Sequence, residues 1–307
     1  MDARAYPATR RDPPSAYVAL AAGLTLILAS AAQADERVQF QSLDDKLTLT
    51  AFLNRPVRAE PAPAVVMLHG CSGLGSAKEP FAIYRDWRDF FVDKGYVTLM
   101  VDSAASRGFG QTCTIAVKEQ TDRMWAGRPS DAYAALAFLQ SQPFVIPDKI
   151  ALIGWSQGGG VVLETIPTRS LGRPNPSPAH DFAAAIAFYP GLCSDKLQAT
   201  HLNASTESWT TSIPLLVLQG ELDNWTPAKP CEAFLRGAQA RDAPVTFQIY
   251  PGAYHSFDAP DMPIHTVESY RRNDWAPIEG TNEGARADAR NRVSQFLAEH
   301  LETKAAQ

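Results

Sequence analysis

Six short apolar runs recur along the chain, at residues 64–68, 96–101, 150–153, 182–188, 215–218 and 246–250. Most are continuous rather than alternating, which suits strands buried on both faces, as in a parallel sheet. Helical patterns lie between them. Residues 80–94 place Phe81, Tyr84, Trp87, Phe91 and Val92 on one side of a helix. Ser130 and Asp131 form a candidate cap for a helix running to Gln140, and residues 285–300 read as a closing amphipathic helix. Residues 38–40 and 47–52 alternate more strictly and predict an antiparallel edge hairpin. Alternating β and α units imply a doubly wound α/β sheet with helices on both faces and ligands at the carboxyl ends of its strands. With no internal repeat or linker, residues 35–307 read as one domain.

The first 34 residues follow a different logic. Arg4, Arg10 and Arg11 precede an apolar run over 17–32, and Ala32-Gln33-Ala34 then offers small residues before Asp35-Glu36. That is the order of a secretory signal, with cleavage expected after Ala34. The run is shorter than the roughly 20 residues of a spanning helix, so no stable membrane span is expected after cleavage. A retained N-terminal anchor is the alternative. A periplasmic or secreted location follows from this reading.

Composition narrows the classes. The chain has 307 residues, 45% of them hydrophobic, enough for a large core without staples. A net charge of −5 with mixed signs argues against a nucleic-acid partner. In an exported protein the four cysteines, Cys71, Cys113, Cys193 and Cys231, become disulfide candidates. None forms a CxxC pair, so neither a zinc ribbon nor a thioredoxin-like motif is expected. Four cysteines allow three pairings, and spacing does not choose among them.

The chemistry concentrates where the third apolar run ends. Gly154-Trp155-Ser156-Gln157-Gly158, followed by Gly159-Gly160 and a helix start, is G-x-S-x-G in a strand–turn–helix context. So tight a turn excludes Cβ atoms beside the nucleophile, hence Gly154 and Gly158, and it lifts the Ser156 hydroxyl above the sheet. A hydroxyl nucleophile needs a base, and the base an orienting acid. Of the later histidines, His255 follows the strand ending near Tyr250 at the correct edge; His180, His201, His265 and His300 are poorer candidates. Asp223 lies just past the run 215–218 and is preferred to Glu221 as the acid. An oxyanion hole needs two preorganised N–H donors. The Gln157 amide is one, and the Cys71 amide, in the loop His69-Gly70-Cys71-Ser72-Gly73-Leu74, is the other. Small glycines there permit close backbone approach to a ligand.

Taken together, His69–Leu74, Asp102-Ser103 with Arg107-Gly108, the Ser156 motif, Asp223 and Tyr254-His255-Ser256-Phe257-Asp258 resemble the dienelactone hydrolase family of α/β-hydrolases. The resemblance runs from about Leu47 to Leu301. It implies an eight-stranded, mostly parallel sheet and a nucleophile–Asp–His triad carried by Ser156, Asp223 and His255. Founding members use a cysteine nucleophile where this chain has Ser156, which favours a broader serine esterase. Arg107 is a candidate near the site. The implied fold also places Cys71 and Cys113, and likewise Cys193 and Cys231, after neighbouring strands, so those two pairs are expected to bridge, unpaired thiols being the alternative.

The expected activity is therefore hydrolysis of a small-molecule ester or lactone, with no metal or organic cofactor. A ligand-binding protein on a retired hydrolase scaffold, or a peptidase or acyltransferase using the same triad, would share these residues. Loops at 111–125, 168–180, 192–211 and 258–279 border the expected site. Trp125, Trp209, Trp225 and Trp275 are candidates for an aromatic lining or for core packing. Asn224-Trp225-Thr226 matches a glycosylation sequon, but a glycan there would crowd Asp223, so the match reads as chance.

Overall fold

All six apolar runs become neighbouring strands of one eight-stranded sheet. In a computed structural model describing residues 1–2, 35–43, 47–115 and 127–301, its order is β1-β2-β4-β3-β5-β6-β7-β8. The edge hairpin β1 (Glu36–Gln41) and β2 (Thr48–Asn54) is antiparallel, and β2 meets β4 (Val97–Asp102) antiparallel as well. Pairing is parallel from β4 through β3 (Ala62–Leu68), β5 (Val145–Trp155), β6 (Ala184–Phe188), β7 (Leu215–Gly220) and β8 (Val245–Tyr250). The chain divides into two units, Met1–Ala32 and Gln33–Gln307, and the sheet belongs to the second. Residues 3–34 of the expected signal segment lie outside the described residues, as does Trp125.

Successive strand residues point to opposite faces, and each face has its own apolar layer. Val66 and Leu68 of β3 belong to one buried layer with Leu136 of α3 (Gly127–Gln140), Val162 of α4 (Gln157–Thr165) and Phe234 of α6 (Ala228–Gln239). Their neighbours Val65 and Met67 belong to the opposite layer with Trp87 and Phe91 of α1 (Ala82–Asp93) and Val293 and Leu297 of α7 (Glu283–Leu301). Both faces being covered explains why these strands read as continuous apolar runs. Among the described residues, no helix is long and apolar enough to cross a membrane.

Two expectations need correction. Helix α3 begins at Gly127, so Ser130 and Asp131 lie inside it rather than capping it. The Asp131 carboxylate is buried and takes the Arg107 guanidinium, at 3.0 Å from Nε and 2.6 Å from Nη2, instead of helix amides. Arg107 is thereby committed to a buried ion pair, with further donation from Nη2 to Gly127 O, and it does not line the cavities at Ser156. The region 258–279 is also more than a loop. It contains β9 (His265–Thr266) paired antiparallel with β10 (Ile278–Glu279), and a 3-10 turn over Glu268–Tyr270.

Candidate active site

The turn at Ser156 is set by steric exclusion. A Cβ on Gly154 would lie 2.2 Å from Gly158 O, and one on Gly158 would lie 2.2 Å from Leu68 O. Ser156 itself takes φ 53°, a left-handed conformation that non-glycine residues rarely adopt without compensating contacts. Those contacts are present. Its amide donates to Phe188 O at 3.0 Å, and its carbonyl accepts from Gly160 and Gly191. The strained turn is thus held from β6 and from α4, which begins one residue later.

Strands β7 and β8 bring in the other two partners. The buried Asp223 carboxylate receives His255 Nδ1 at 2.7 Å on Oδ2. Its Oδ1 accepts the Trp225 and Thr226 amides, each at 2.8 Å, while Thr226 Oγ1 donates to Oδ2. With so many donors, the carboxylate has little freedom other than to face the imidazole. The ring of His255 lies between Tyr189 and Trp225, with centroids 4.4 and 4.9 Å away. Ser156 and His255 share the wall of one cavity, without a hydrogen bond between them. Such contacts commonly tighten only when substrate binds. Glu221 is exposed and accepts the Gly252 amide, so the nearer rival acid does not reach the imidazole. None of the rival histidines lines either cavity at Ser156: His265 is exposed on β9, and His201 faces Glu164 at 2.8 Å.

Cys71 and Gln157, the two expected oxyanion donors, both line a cavity with Ser156. Their segments are bridged by a residue the sequence reading missed. Arg128 of α3 is buried; its Nη2 donates to His69 O at 2.7 Å and its Nη1 to Gln157 Oε1 at 3.0 Å. Thr112 Oγ1 also donates to that Gln157 oxygen, and the Thr112 amide to Cys71 O. Burial lowers the Arg128 pKa to about 10. His69 is held neutral, its pKa lowered to about 3 by burial and then by the Arg128 charge. With Nε2 accepting the amide of Ala104 on the short helix α2 (Ser103–Ser106), the ring proton is assigned to Nδ1, which faces Gly70 O at 2.7 Å. Tyr84 Oη accepts the Gly70 amide from the other side.

Both expected bridges are present. Cys71–Cys113 joins the segments after the neighbouring strands β3 and β4, and Cys193–Cys231 joins the β6 loop to α6. Two of the candidate tryptophans, Trp225 and Trp275, line the site; Trp209 is buried and donates to Leu163 O. The 258–279 region contributes Tyr270, Arg272 and Trp275 to the same lining. Asn224 pins that region, donating to Ala276 O and accepting the Ile278 amide, each at 2.9 Å. A glycan on that nitrogen would break the tie.

The sheet order, the left-handed serine after β5 and the acid and imidazole after β7 and β8 define an α/β-hydrolase fold. The model of the dienelactone hydrolase family matches residues 49–301, so the chain belongs to that family. Among solved structures, a putative dienelactone hydrolase from Klebsiella pneumoniae superposes with a TM-score of 0.62 at 18% identity. That match covers 87% of this chain and 100% of the other. Thermogutta terrifontis esterase 2, solved in a form phosphoramylated by tabun, gives 0.58 at 18% identity, covering 89% and 98%. A curated relative, dipeptidyl aminopeptidase BIII of Pseudoxanthomonas mexicana, is 24% identical over 254 residues, 73% of this chain and 36% of its own length. The chain thus spans little more than a third of that relative.

Proposed function

We propose that this chain is an exported serine hydrolase that cleaves neutral carboxylic esters or lactones through an acyl-enzyme on Ser156. The observation that carries the reading is the buried Asp223–His255 pair opening onto the same cavity as the left-handed Ser156. His255 takes the Ser156 proton as Oγ bonds to the substrate carbonyl carbon, and Asp223 stabilises the resulting imidazolium. The negative charge moves to the carbonyl oxygen, where the Cys71 and Gln157 amides receive it. His255 then returns the proton to the departing alkoxide as the carbon–oxygen bond breaks. Water, deprotonated by the same imidazole, releases the acid and restores Ser156. In a lactone the alkoxide stays tethered and the product is a single hydroxy acid.

Neutral esters are favoured over peptides with a free amino terminus by the charge of the larger cavity at Ser156. Its described lining contains no carboxylate and one cation, Arg272. An α-ammonium entering it would lose water without gaining a counterion. Export is supported by the 1–34 pattern and by the bridging of all four cysteines, which suits an oxidising compartment.

Ser156→Ala tests the assignment. Turnover of a short-chain nitrophenyl ester should fall by about a thousandfold or more, and a fluorophosphonate should label the parent protein on Ser156 but not the variant. A folded Ser156→Ala protein that keeps its activity overturns the reading.

A further inference from the structure

Two cavities open beside Ser156, and they share Cys71, Ser156 and Trp225 in their walls. The larger, about 550 Å³, is lined by Ile115, Leu192, Leu197, Tyr270 and Trp275 in addition to the shared Trp225. The smaller, about 310 Å³, is lined by Phe81, Ile83, Tyr84, Tyr189 and Met262, with Glu279 as the one carboxylate in its described wall. Both are apolar enough to take a hydrophobic substituent, and both sizes fall near or within the range of small-molecule sites. The catalytic groups divide unevenly between them. His255 and Gly70 face the smaller cavity, whereas Gln157 faces the larger.

That division assigns direction. During acylation the imidazole must hand its proton to the leaving oxygen, so the alcohol portion has to lie on the His255 side. The acyl substituent, on the opposite side of the carbonyl carbon, is then directed past Gln157. We infer that the 550 Å³ cavity is the acyl subsite and the 310 Å³ cavity the alcohol subsite, so that this hydrolase accepts bulky aromatic or branched acyl groups. The acyl subsite offers aromatic faces for such groups: Trp225 and Tyr270 lie 5.4 Å apart between centroids, and Trp275 is 39% exposed at the rim. Leu197, 40% exposed on α5 (Asp195–His201), completes an apolar mouth that a large acyl group would cover. The alcohol subsite is bounded by α1 through Ile83 and by the buried Tyr84 and Tyr189 phenols, and has less room. The assignment rests on Ser156 being the nucleophile, as proposed above.

Two variants test it by crossing. Leu197→Trp narrows the larger mouth and Ile83→Trp the smaller. One substrate series varies the acyl group on a nitrophenyl ester, from acetate to benzoate and naphthoate. The other varies the alcohol of an acetate, from methyl to phenyl and naphthyl. Leu197→Trp should lower the naphthoate-to-acetate ratio of kcat/KM by about tenfold, with less than about a twofold change in the naphthyl-to-methyl alcohol ratio. Ile83→Trp should do the reverse. The opposite crossing, or both ratios moving together in either variant, overturns the assignment. A second readout needs no variant: in crystals of the parent protein reacted with a long-chain alkylphosphonate nitrophenyl ester, the alkyl chain on Ser156 should lie against Leu192 and Trp275. A chain lying against Ile83 and Met262 overturns the inference. Loss of activity in Ser156→Ala together with such a reversed chain would leave the nucleophile standing and remove only the direction. Activity retained in Ser156→Ala would remove both.

Discussion

At the scale of single residues, the placement of one buried cation stands out. Arg128 is buried and, among the described residues, has no carboxylate in ion-pair contact; its Nε finds no hydrogen-bond partner either. Burying such a charge is costly. What it gains is a grip on His69 O and Gln157 Oε1, the flanks of the proposed oxyanion hole, and a field that opposes protonation of His69. The folded pKa of His69, about 3, lies below its ordinary 6.5. Its contribution to stability is therefore full above about pH 6.5 and declines as pH falls, because the unfolded chain takes up the proton first. Between about pH 7.5 and 5 this amounts to about 2 kcal/mol. Because burial is the larger cause of the low His69 pKa, Arg128→Gln should leave most of that acid slope in place, seen in denaturant unfolding across this range. It should also lower kcat by about tenfold or more with KM little changed, since the donors matter most in the transition state. A kcat unaffected in Arg128→Gln would reduce the residue to a structural tie.

The strand–turn–helix junction of β5 and α4 was legible at the scale of elements because its requirements are local. Gly154 and Gly158 are demanded by backbone atoms within the turn and by β3 beneath it. Gly158→Ala should consequently destabilise the protein by about 2 kcal/mol or more and abolish the proposed hydrolysis of a nitrophenyl ester, as a Cβ there meets the Leu68 and His69 carbonyl oxygens at the end of β3. Gly110→Ala, where a Cβ meets nothing within 4 Å, is the matched control and should change little. Thermal unfolding of the two variants side by side decides it; equal melting temperatures would contradict the steric account. Other elements were illegible for the converse reason. The two-residue strands β9 and β10 carry no periodicity, and their place is fixed by Asn224, far off in sequence. Helix α3 was read as starting late because Ser130-Asp131 has the composition of a cap, while Asp131 is spent on Arg107. Arg128 was invisible for the same reason: its partners are a carbonyl after β3 and an amide on α4.

Across the whole molecule, the two disulfides and the start of the described body make one connected expectation. Cys71–Cys113 closes a separation of 42 residues and Cys193–Cys231 one of 38, and both pairs line or border the acyl subsite. In the chain-entropy account, loops of this length contribute up to about 4 kcal/mol each, through the unfolded state. Asp35, the residue after the expected cleavage point, is tied to the body by Arg88 Nη1 at 2.6 Å and Asn54 Nδ2 at 2.8 Å. If the reading of residues 1–34 holds, intact mass of the exported protein should correspond to a chain beginning at Asp35. Alkylation after denaturation should then find no reactive thiol before reduction and four after it. Reduction should lower the melting temperature by on the order of ten degrees, the shift expected for several kcal/mol in a domain of this size. Inactivation should accompany it at lower temperature than global unfolding, because Cys71 carries the proposed oxyanion amide and its bridge to Cys113 steadies that loop. A mass that includes residues 1–34 would replace cleavage by a retained anchor. Free thiols in the unreduced protein would remove the bridges, and with them the support they give to export.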